Sequence, residues 1–354
     1  MSEYFSKRLK DIMPYTAGEQ PQDKKYIKLN TNESPFPPSP FSLRLCRESA
    51  GDMLLYPDPE YNSLVKVAAQ TWGVNEENLL FTNGSDEALN FAFIAYCDKD
   101  TPAVFPDITY GFYPVFAAIN CVPKKEIPLK EDYTIDIKDY FNAGGTVFIA
   151  NPNAPTGIAL KKAEIEEIVA NNPDNIVVID EAYVDFGAES CVGLIDKYDN
   201  LIVTQTFSKS RSLAGARVGV AIASAALIGD LKTVKYSTNP YNLSRTSAAA
   251  GIGALLDEEY FNDNCEKIIE AREFFVKKLV GLGFSVLPSK ANFVFAKYKD
   301  ICGEKLYSEL KNRGVLVRFF NKPRLKDFIR ITIGTKSDME KTVETVSEIL
   351  KVIK

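Results

Sequence analysis

A lysine with chemically useful neighbours follows one of the β-strands that the sequence predicts. Lys209 stands just beyond the apolar run at 201–204, next to Ser208, and Arg217 follows eight residues after the lysine. A lysine beyond a strand end is usually a solvated surface residue. If burial and a nearby cation keep its amine partly neutral, it can instead form an imine with an aldehyde. Arg217 can be that cation and can also bind a phosphate, with Ser208 adding a hydroxyl donor.

A carboxylate and a tyrosine follow a second predicted strand, at 176–179. Asp180 at such a strand end can be a metal ligand or a helix cap, but the chain has no GxxxxGK[ST] loop to complete a nucleotide site. Another interpretation is a carboxylate held against a pyridinium nitrogen, which keeps that ring protonated and able to accept electron density from a carbanion. Tyr183 can donate a hydrogen bond to a phenolic oxygen on the same ring.

Two turns after predicted strands offer further polar groups. Residues 81–88 predict a turn followed by the start of a helix. Gly84 permits close approach of a ligand to the backbone, and the free backbone N–H groups at the helix start suit a phosphate. Ser85 or Asp86 can also simply cap that helix, although a capped helix end still has donors for an anion. Residues 151–157 are rich in Asn and Pro and predict a tight loop that faces the same site.

The composition limits the available chemistry. The chain has 354 residues and no histidine, which removes Ser-His-Asp and Cys-His catalysis and the commonest metal ligand. Its net charge of -5 gives no basic field, so nucleic acid and anionic membranes are not expected partners. The six scattered cysteines predict buried free thiols. With no signal-peptide core and no membrane-spanning run, we expect a cytoplasmic protein that holds no metal.

The order of apolar and amphipathic segments predicts an α/β fold with two domains. The Pro-, Asn- and Tyr-rich start predicts an N-terminal arm over 1–24. Over 45–240, continuous apolar runs alternate with helical patterns, which predicts a large domain with a mostly parallel, doubly wound sheet. Residues 25–44 and 241–354 are expected to form a smaller α+β domain, with a long helical region at about 244–282 followed by strands at 291–297, 314–319 and 329–333. Ligands bind beyond the carboxyl ends of the strands in such a sheet, so the polar residues described above are expected to meet there.

Four motifs together resemble a known family: NGSDEAL at 83–89, NPNAPTG at 151–157, VVIDEAY at 177–183 and TFSKSRSLAGARVG at 206–219. They are similar to the fold-type I aminotransferases that depend on pyridoxal 5'-phosphate (PLP). The resemblance is closest to the histidinol-phosphate aminotransferases and covers nearly the whole chain. It includes MPYTAGEQP at 13–21, LNTNESPFPPSP at 29–40, YPDPEYNSL at 56–64, VRFF at 317–320 and FIRITIGT at 328–335. The PLP-dependent transferase fold of type I is therefore expected.

The resemblance implies roles for the residues around the cofactor. Lys209 would bind PLP as a Schiff base and move the substrate's α-proton, Asp180 would pair with the pyridine nitrogen, and Tyr183 would donate to the phenolic oxygen. Tyr110 would stack on the ring. Tyr56 would reach the phosphate of the neighbouring subunit, which implies a homodimer with shared active sites; packing in a core or interface is the alternative for each tyrosine. The cofactor phosphate would be held by Gly84, Ser85, Asp86, Ser208 and Arg217.

One position departs from the family pattern. The family usually has an Asn immediately before the Pro-Thr-Gly of the 151–157 loop, where it binds the phenolic oxygen. This chain has Ala154 there, with Asn153 just upstream. Either Asn153 takes over through a shifted loop or Tyr183 acts alone, and we favour Asn153.

Two arginines and an arm tyrosine are expected to bind the substrate. Arg330 interrupts an apolar strand, where an unpaired buried charge is costly, so it should face a cleft or a partner. Arg318 has the same placement, with a structural salt bridge as the alternative. The resemblance implies that Arg330 binds the substrate carboxylate, that Arg318 helps to bind the substrate phosphate, and that Tyr15 closes over the substrate.

The expected activity is transamination between glutamate/2-oxoglutarate and imidazole-acetol phosphate/histidinol phosphate in histidine biosynthesis. Its partners would be a small-molecule amino donor and a phosphorylated oxo-acceptor. Threonine-phosphate decarboxylase and aromatic amino acid aminotransferase share the fold and remain alternatives. A PLP-binding regulator without turnover usually adds a DNA-binding domain, for which this chain has neither the length nor a basic patch.

Overall fold

The structure is a computed structural model and describes residues 2–10 and 12–353. Its strands in chain order are β1 Ile27–Lys28, β2 Leu79–Asn83, β3 Ala103–Pro106, β4 Lys124–Ile127, β5 Thr146–Ala150, β6 Val177–Asp180, β7 Leu201–Thr206, β8 Val218–Ala223, β9 Phe284–Val286, β10 Phe293–Tyr298, β11 Val315–Leu316, β12 Arg318–Phe319 and β13 Phe328–Thr332. Its α-helices are α1 Pro40–Ser49, α2 Asn62–Trp72, α3 Ser85–Tyr96, α4 Tyr113–Ile119, α5 Lys162–Ala170, α6 Ala225–Thr238, α7 Arg245–Leu256, α8 Glu258–Gly281, α9 Gly303–Asn312 and α10 Lys336–Ile353.

A seven-stranded sheet forms the centre of the large domain, in the order β2-β8-β7-β6-β5-β3-β4. The strands from β7 to β4 pair in parallel, and β8 runs antiparallel to both of its neighbours. In β5, Val147 and Ile149 join a core with α2, α5 and α7, whereas Phe148 and Ala150 join a core with α3, α4 and α6. Successive strand residues point to opposite faces, so both faces are covered by helices. The predicted doubly wound sheet is confirmed.

A second, smaller sheet has the order β12-β13-β10-β9 and is antiparallel throughout. It packs against α8, α9 and α10 in a separate apolar core, which confirms the predicted α+β character. β1 pairs in parallel with β11 beside it. The chain that follows β1 stays on this sheet, since the Thr332 N–H donates to the Leu29 carbonyl at 2.9 Å.

Two elements differ from the sequence expectation. The helical region expected at 244–282 is two helices, because Asp257 has φ -102° and ψ 63° and leaves the helical conformation between α7 and α8. The strand expected at 314–319 is divided into β11 and β12, because β11 pairs with β1 and β12 pairs with β13. Each half of the apolar run has a different partner.

The packing of α7 bears on where the two domains meet. α7 contacts α1 and α2, and its Ala250, Ala254 and Leu255 belong to the core of the seven-stranded sheet. We therefore propose that the large domain continues through α1 and α7, and that the boundary lies near Asp257 instead of at residue 240.

Three further observations concern the described residues as a whole. They contain no helix long and apolar enough to cross a membrane. They also contain no group of three His, Cys, Asp or Glu side chains that could hold a metal ion. All six cysteines are free, but the expectation that they are buried holds for only half of them: Cys97, Cys191 and Cys265 are buried, Cys46 is half-buried, and Cys121 and Cys302 are exposed.

Candidate active site

The carboxyl ends of the central strands open into a cavity of about 650 Å³. β6 ends at Asp180, the loop after β7 carries Lys209, and the loop after β5 contributes Ala154. The small sheet contributes Arg318 from β12 and Arg330 from β13. Because parallel strands end at the same edge, side chains that are distant in the sequence meet at this point.

Lys209 is the amine of this cavity. Burial, and then the positive charge of Arg330, lower the pKa of its ammonium group from 10.5 to about 8. Arg217, the nearby cation suggested by the sequence, also lowers this pKa but has a smaller effect than Arg330. Nζ of Lys209 donates to the backbone oxygen of Thr31 at 3.3 Å and lies 5.8 Å from the centre of the Tyr183 ring. A useful fraction of the amine is therefore neutral and nucleophilic near neutral pH.

Asp180 is a buried carboxyl group that lines the same cavity. The hydroxyl of Tyr113 donates to its Oδ2 at 3.2 Å, and the hydroxyl of Thr204 donates to its Oδ1 at 3.4 Å. Burial, and then the charge of Asp86, raise the pKa of Asp180 from 3.8 to about 7. A cation placed against this carboxyl group would therefore be strongly favoured. Tyr113 was not singled out in the sequence, although it belongs to the same DITYGFY stretch as Tyr110.

Groups that bind anions surround the start of α3. Nη1 of Arg217 donates to Oγ of Ser208 at 3.3 Å, and its Nη2 lies 2.9 Å from Oδ2 of Asp86. Ser85 and Asp86 form the first turn of α3, where backbone N–H groups lack helical partners. Gly84 has φ +74°, and a Cβ at this position would lie 2.4 Å from Nη2 of Arg217. The guanidinium, the hydroxyl and the helix end together suit a phosphate.

Three of the predicted tyrosines, Tyr15, Tyr110 and Tyr183, line the cavity. The hydroxyl of Tyr110 donates to Oδ1 of Asp86 at 2.6 Å, and burial followed by the Asp86 charge raises the pKa of Tyr110 well above 10. The ring of Tyr15 stacks on Phe112 at 4.2 Å and lies 6.4 Å from the ring of Tyr110. The N-terminal arm thus contributes an aromatic wall to the cavity.

The loop at 151–157 does not place Asn153 in the cavity. Oδ1 of Asn153 accepts from Thr109 at 2.8 Å, and its Nδ2 donates to the Ile108 carbonyl at 3.0 Å and to Thr156 at 3.1 Å. Ala154 lines the cavity instead. Our preference for Asn153 as the replacement donor is therefore corrected, because its amide is fully used in holding two loops together.

The hydroxyl of Tyr183 contacts the buried side-chain amide of Asn32, which was not predicted from the sequence. Nδ2 of Asn32 donates to the Tyr183 hydroxyl at 3.0 Å. Burial raises the pKa of Tyr183, with the charge of Arg330 opposing that rise, so the phenol keeps its proton. The only signal for Asn32 in the sequence was its place in the LNTNESPFPPSP segment, because it belongs to no periodic pattern and follows no predicted strand.

The two predicted arginines differ in how they are held. Arg330 donates through Nη2 to the Asn30 carbonyl at 3.1 Å, while its buried Nε has no partner. Burial lowers the pKa of Arg330, so a carboxylate bound beside it would be favoured. Arg318 donates to the carbonyls of Thr16 and Ala17 at 2.8 and 3.0 Å. Arg318 therefore fastens the N-terminal arm, and no salt bridge in the described part of the chain involves it.

Tyr56 lies away from the cavity of its own chain. Its side chain is 77% exposed, its ring stacks on Tyr241 at 4.6 Å, and its carbonyl accepts from Arg245 at 2.7 Å. The preceding residues Met53, Leu54 and Leu55 are also exposed. The structure of one chain thus brings together the predicted site residues other than Tyr56 and Asn153.

Two lysines of the cavity were not predicted. Lys124 and Lys322 line it together with the arginines of the small sheet, and Lys124 also forms an ion pair with Glu126 at 2.6 Å. Lysines on an edge strand and in a polar loop are ordinarily solvated, so the sequence contained no signal for them. Their charges favour an anionic substrate.

Comparison with known proteins identifies the family. The model for "Aminotransferase class I and II" matches residues 24–346. The chain belongs to this family. Within it, a histidinol-phosphate aminotransferase of Brachyspira hyodysenteriae is 50% identical over 99% of this chain and 100% of its own length, and one of Acinetobacter baumannii is 47% identical over 98% and 97%. A crystal structure of histidinol-phosphate aminotransferase from Sinorhizobium meliloti in complex with pyridoxal-5'-phosphate superimposes with a TM-score of 0.85 at 25% identity, covering 94% of this chain and 92% of that one.

The aminotransferase fold is also shared with enzymes of other specificity. An aromatic aminotransferase from Pyrococcus horikoshii superimposes with a TM-score of 0.80 at 21% identity, covering 92% of this chain and 96% of that one. At that identity the likeness shows the fold alone. The expected family and fold are confirmed, and the full-length relatives do not favour the decarboxylase or aromatic alternatives.

Proposed function

We propose that this chain is a PLP-dependent histidinol-phosphate transaminase of histidine biosynthesis. It would move an amino group between glutamate/2-oxoglutarate and imidazole-acetol phosphate/histidinol phosphate. The observation that carries the proposal is the pair formed by Lys209, an amine with a pKa of about 8, and Asp180, a buried carboxyl group in the same cavity. Full-length relatives at 47–50% identity that carry this enzyme's name support the choice of substrate.

The residues of the cavity fit PLP. Arg217, Ser208 and the start of α3 supply donors for its phosphate, and the lack of a Cβ on Gly84 leaves room for the Arg217 guanidinium. Asp180, whose pKa is raised by burial, gains a counter-ion if it faces a protonated pyridine nitrogen. Lys209 supplies the amine for the aldehyde carbon. When bound, PLP supplies an electron sink that stabilises negative charge on the substrate's α-carbon.

The side chains of the chain itself would perform the binding and proton transfer. Lys209 has a pKa near neutrality, so its Nζ can take the proton from the substrate's α-carbon and return it. Arg330 lines the cavity as a buried cation, which suits the carboxylate of glutamate or 2-oxoglutarate. Arg318, Lys124 and Lys322 would favour the substrate's phosphate. The arginines, Lys124 and Lys322 would act by positioning or by charge, whereas Lys209 would transfer the proton.

We propose further that the enzyme is a homodimer with shared active sites. Tyr56 and the apolar side chains of residues 53–55 are exposed in the single chain, which supports burial against a second copy. The Tyr241 ring and Arg245 hold Tyr56 in one position, so it is preorganised to enter a partner's cavity. A cytoplasmic location is part of the same proposal, and six free cysteines suit a reducing compartment.

A half-reaction test decides the substrate. PLP-loaded protein is mixed with histidinol phosphate without any acceptor, and the visible absorption of the bound cofactor is followed. We expect that absorption to be lost at stoichiometric turnover and to return on adding 2-oxoglutarate. Loss of this absorption with tyrosine or phenylalanine, but not with histidinol phosphate, would instead favour the aromatic aminotransferase. Release of carbon dioxide from threonine phosphate would favour the decarboxylase.

A further inference from the structure

The surroundings of Tyr183 lack the second donor that the family pattern leads one to expect. Ala154 has no polar side-chain atom, and the amide of Asn153 is used by Thr109, Ile108 and Thr156. Tyr183 is therefore left as the side chain that donates to the phenolic oxygen of the cofactor. The direction and strength of its hydrogen bond then matter more than in a site with two donors.

Asn32 is held in one orientation by three buried contacts. The Thr332 hydroxyl donates to Oδ1 of Asn32 at 2.9 Å, and the Asn32 N–H donates to the same hydroxyl oxygen at 2.9 Å. Nδ2 of Asn292 donates to the Asn32 carbonyl at 3.0 Å. Because Oδ1 is taken by Thr332, it is Nδ2 of Asn32 that faces the Tyr183 hydroxyl, at 3.0 Å.

This contact determines where the phenolic proton of Tyr183 points. An oxygen that accepts a hydrogen bond from Nδ2 must direct its own proton elsewhere, and Tyr183 faces the cavity beside Lys209. A hydroxyl that accepts a hydrogen bond is also polarised into a better donor. Both effects favour donation from Tyr183 into the cavity.

We propose that Asn32 is a positioning residue that sets the hydrogen bond from Tyr183 to the cofactor's phenolic oxygen, in place of the Asn missing at position 154. The inference rests on the proposed function, because it requires PLP on Lys209. A donor to that oxygen lowers the pH at which the bound cofactor changes its visible absorption. The charge state of the bound cofactor at neutral pH is thus tuned from a residue 151 positions away from Tyr183 in the sequence.

The choice of variants follows from the backbone. Asn32 has φ +56°, a conformation that Asn, Asp and Gly tolerate but most residues do not. Asn32→Gly removes the donor without adding backbone strain. Asn32→Asp keeps the shape but replaces the donor with an acceptor, so the Tyr183 proton turns towards residue 32. Thr332→Val removes the hydroxyl that orients the amide, and Thr332→Ser retains it.

The readout is the pH midpoint of the visible absorption of PLP-loaded protein, with no substrate present. Asn32→Gly is expected to raise the midpoint by about 0.5–1 pH unit, the size expected for one neutral hydrogen bond. Asn32→Asp should raise it at least as far as Tyr183→Phe does. In the Tyr183→Phe background, Asn32→Gly should add no further shift, because both changes act through the same hydrogen bond. Thr332→Val should raise the midpoint, and Thr332→Ser should restore it.

Two results would overturn the proposal. An unchanged midpoint in both Asn32→Gly and Asn32→Asp would mean that residue 32 does not direct the Tyr183 proton. An equal shift from Asn32→Gly with and without Tyr183 would mean that it acts by another route. If Asn32 variants do not fold, the Thr332→Val and Thr332→Ser pair decides the question alone. Failure of the proposed function is distinguishable, since wild-type protein would then show no lysine-linked cofactor absorption to titrate.

Discussion

Replacing Arg330 with glutamine should make Lys209 a weaker nucleophile at neutral pH, even before any substrate is present. Arg330 is the largest cause after burial of the lowered Lys209 pKa. With a pKa of about 8, roughly a quarter of the amine is neutral at pH 7.5, against about one in a thousand at the ordinary value of 10.5. If Arg330→Gln raises the pKa by about one unit, the neutral fraction falls to roughly 3%, an approximately eightfold decrease.

The assay is the rate at which the cofactor-free protein attaches saturating PLP to Lys209, measured from pH 6.5 to pH 10 by visible absorption. A group with a lowered pKa loses its proton at lower pH, so the wild-type rate should rise with pH through a midpoint near 8. In Arg330→Gln the same rise should occur about one pH unit higher. Borohydride reduction and peptide mapping confirm that the label is on Lys209.

Arg318→Gln is the matched control. Arg318 is on the neighbouring strand and lines the same cavity, but the causes that lower the Lys209 pKa are burial, Arg330 and Arg217. The pH midpoint of PLP attachment in Arg318→Gln should therefore stay near that of the wild type. An unchanged midpoint in Arg330→Gln, or an equal shift in Arg318→Gln, would refute the reasoning.

Three other predictions concern the cofactor and the dimer. Gly84→Ala should weaken PLP binding by about tenfold or more, measured by equilibrium titration, because its Cβ would meet a guanidinium at 2.4 Å. Gly73→Ala has a similar positive φ but open space around it, and should leave PLP affinity unchanged. Asp180→Asn should still attach PLP covalently but lose about 10³-fold in turnover, since a neutral amide cannot stabilise a protonated ring nitrogen; near-normal turnover would contradict the assigned role. Mixing inactive Lys209→Ala with a low-activity Tyr56→Ala variant should restore part of the activity if dimers share sites, whereas no recovery despite subunit exchange would exclude shared sites.

The residues beside strand ends were the predictable part of the site. Lys209 and Asp180 stand at the ends of apolar runs typical of buried strands, and Arg217 directly precedes another such run. The parallel pairing of β6 with β7 and the antiparallel pairing of β7 with β8 then bring these ends together. The sheet itself was predictable for the same reason, because strands such as β5 are continuous apolar segments. The positions of these strands follow from a local run of apolar residues, which can be read directly from the sequence.

The direction of side chains in loops was not predictable. Asn153 and Ala154 are adjacent, and which of them faces the cavity depends on loop geometry that the motif does not display. Asn32 meets Tyr183 across 151 residues, so only the completed fold places them together. Tyr113 reaches Asp180 from α4, and no periodic pattern marks that contact. A residue that acts on a second copy, as we propose for Tyr56, has no visible role within one chain.

The reversed direction of β8 has a consequence for how the cofactor is anchored. A strand of six residues spans about 20 Å. If β8 ran parallel to β7, its first residue would begin at the far edge of the sheet, and Arg217 would be about that distance from Lys209. Because β8 is antiparallel to β7, the short loop of residues 210–216 joins Lys209, which would bind the aldehyde, to Arg217, which would bind the phosphate. The length of this loop therefore constrains the separation between the Lys209 amine and the Arg217 guanidinium, which must match that between the aldehyde and the phosphate of one cofactor. Inserting residues there should displace one of the two side chains and weaken cofactor binding.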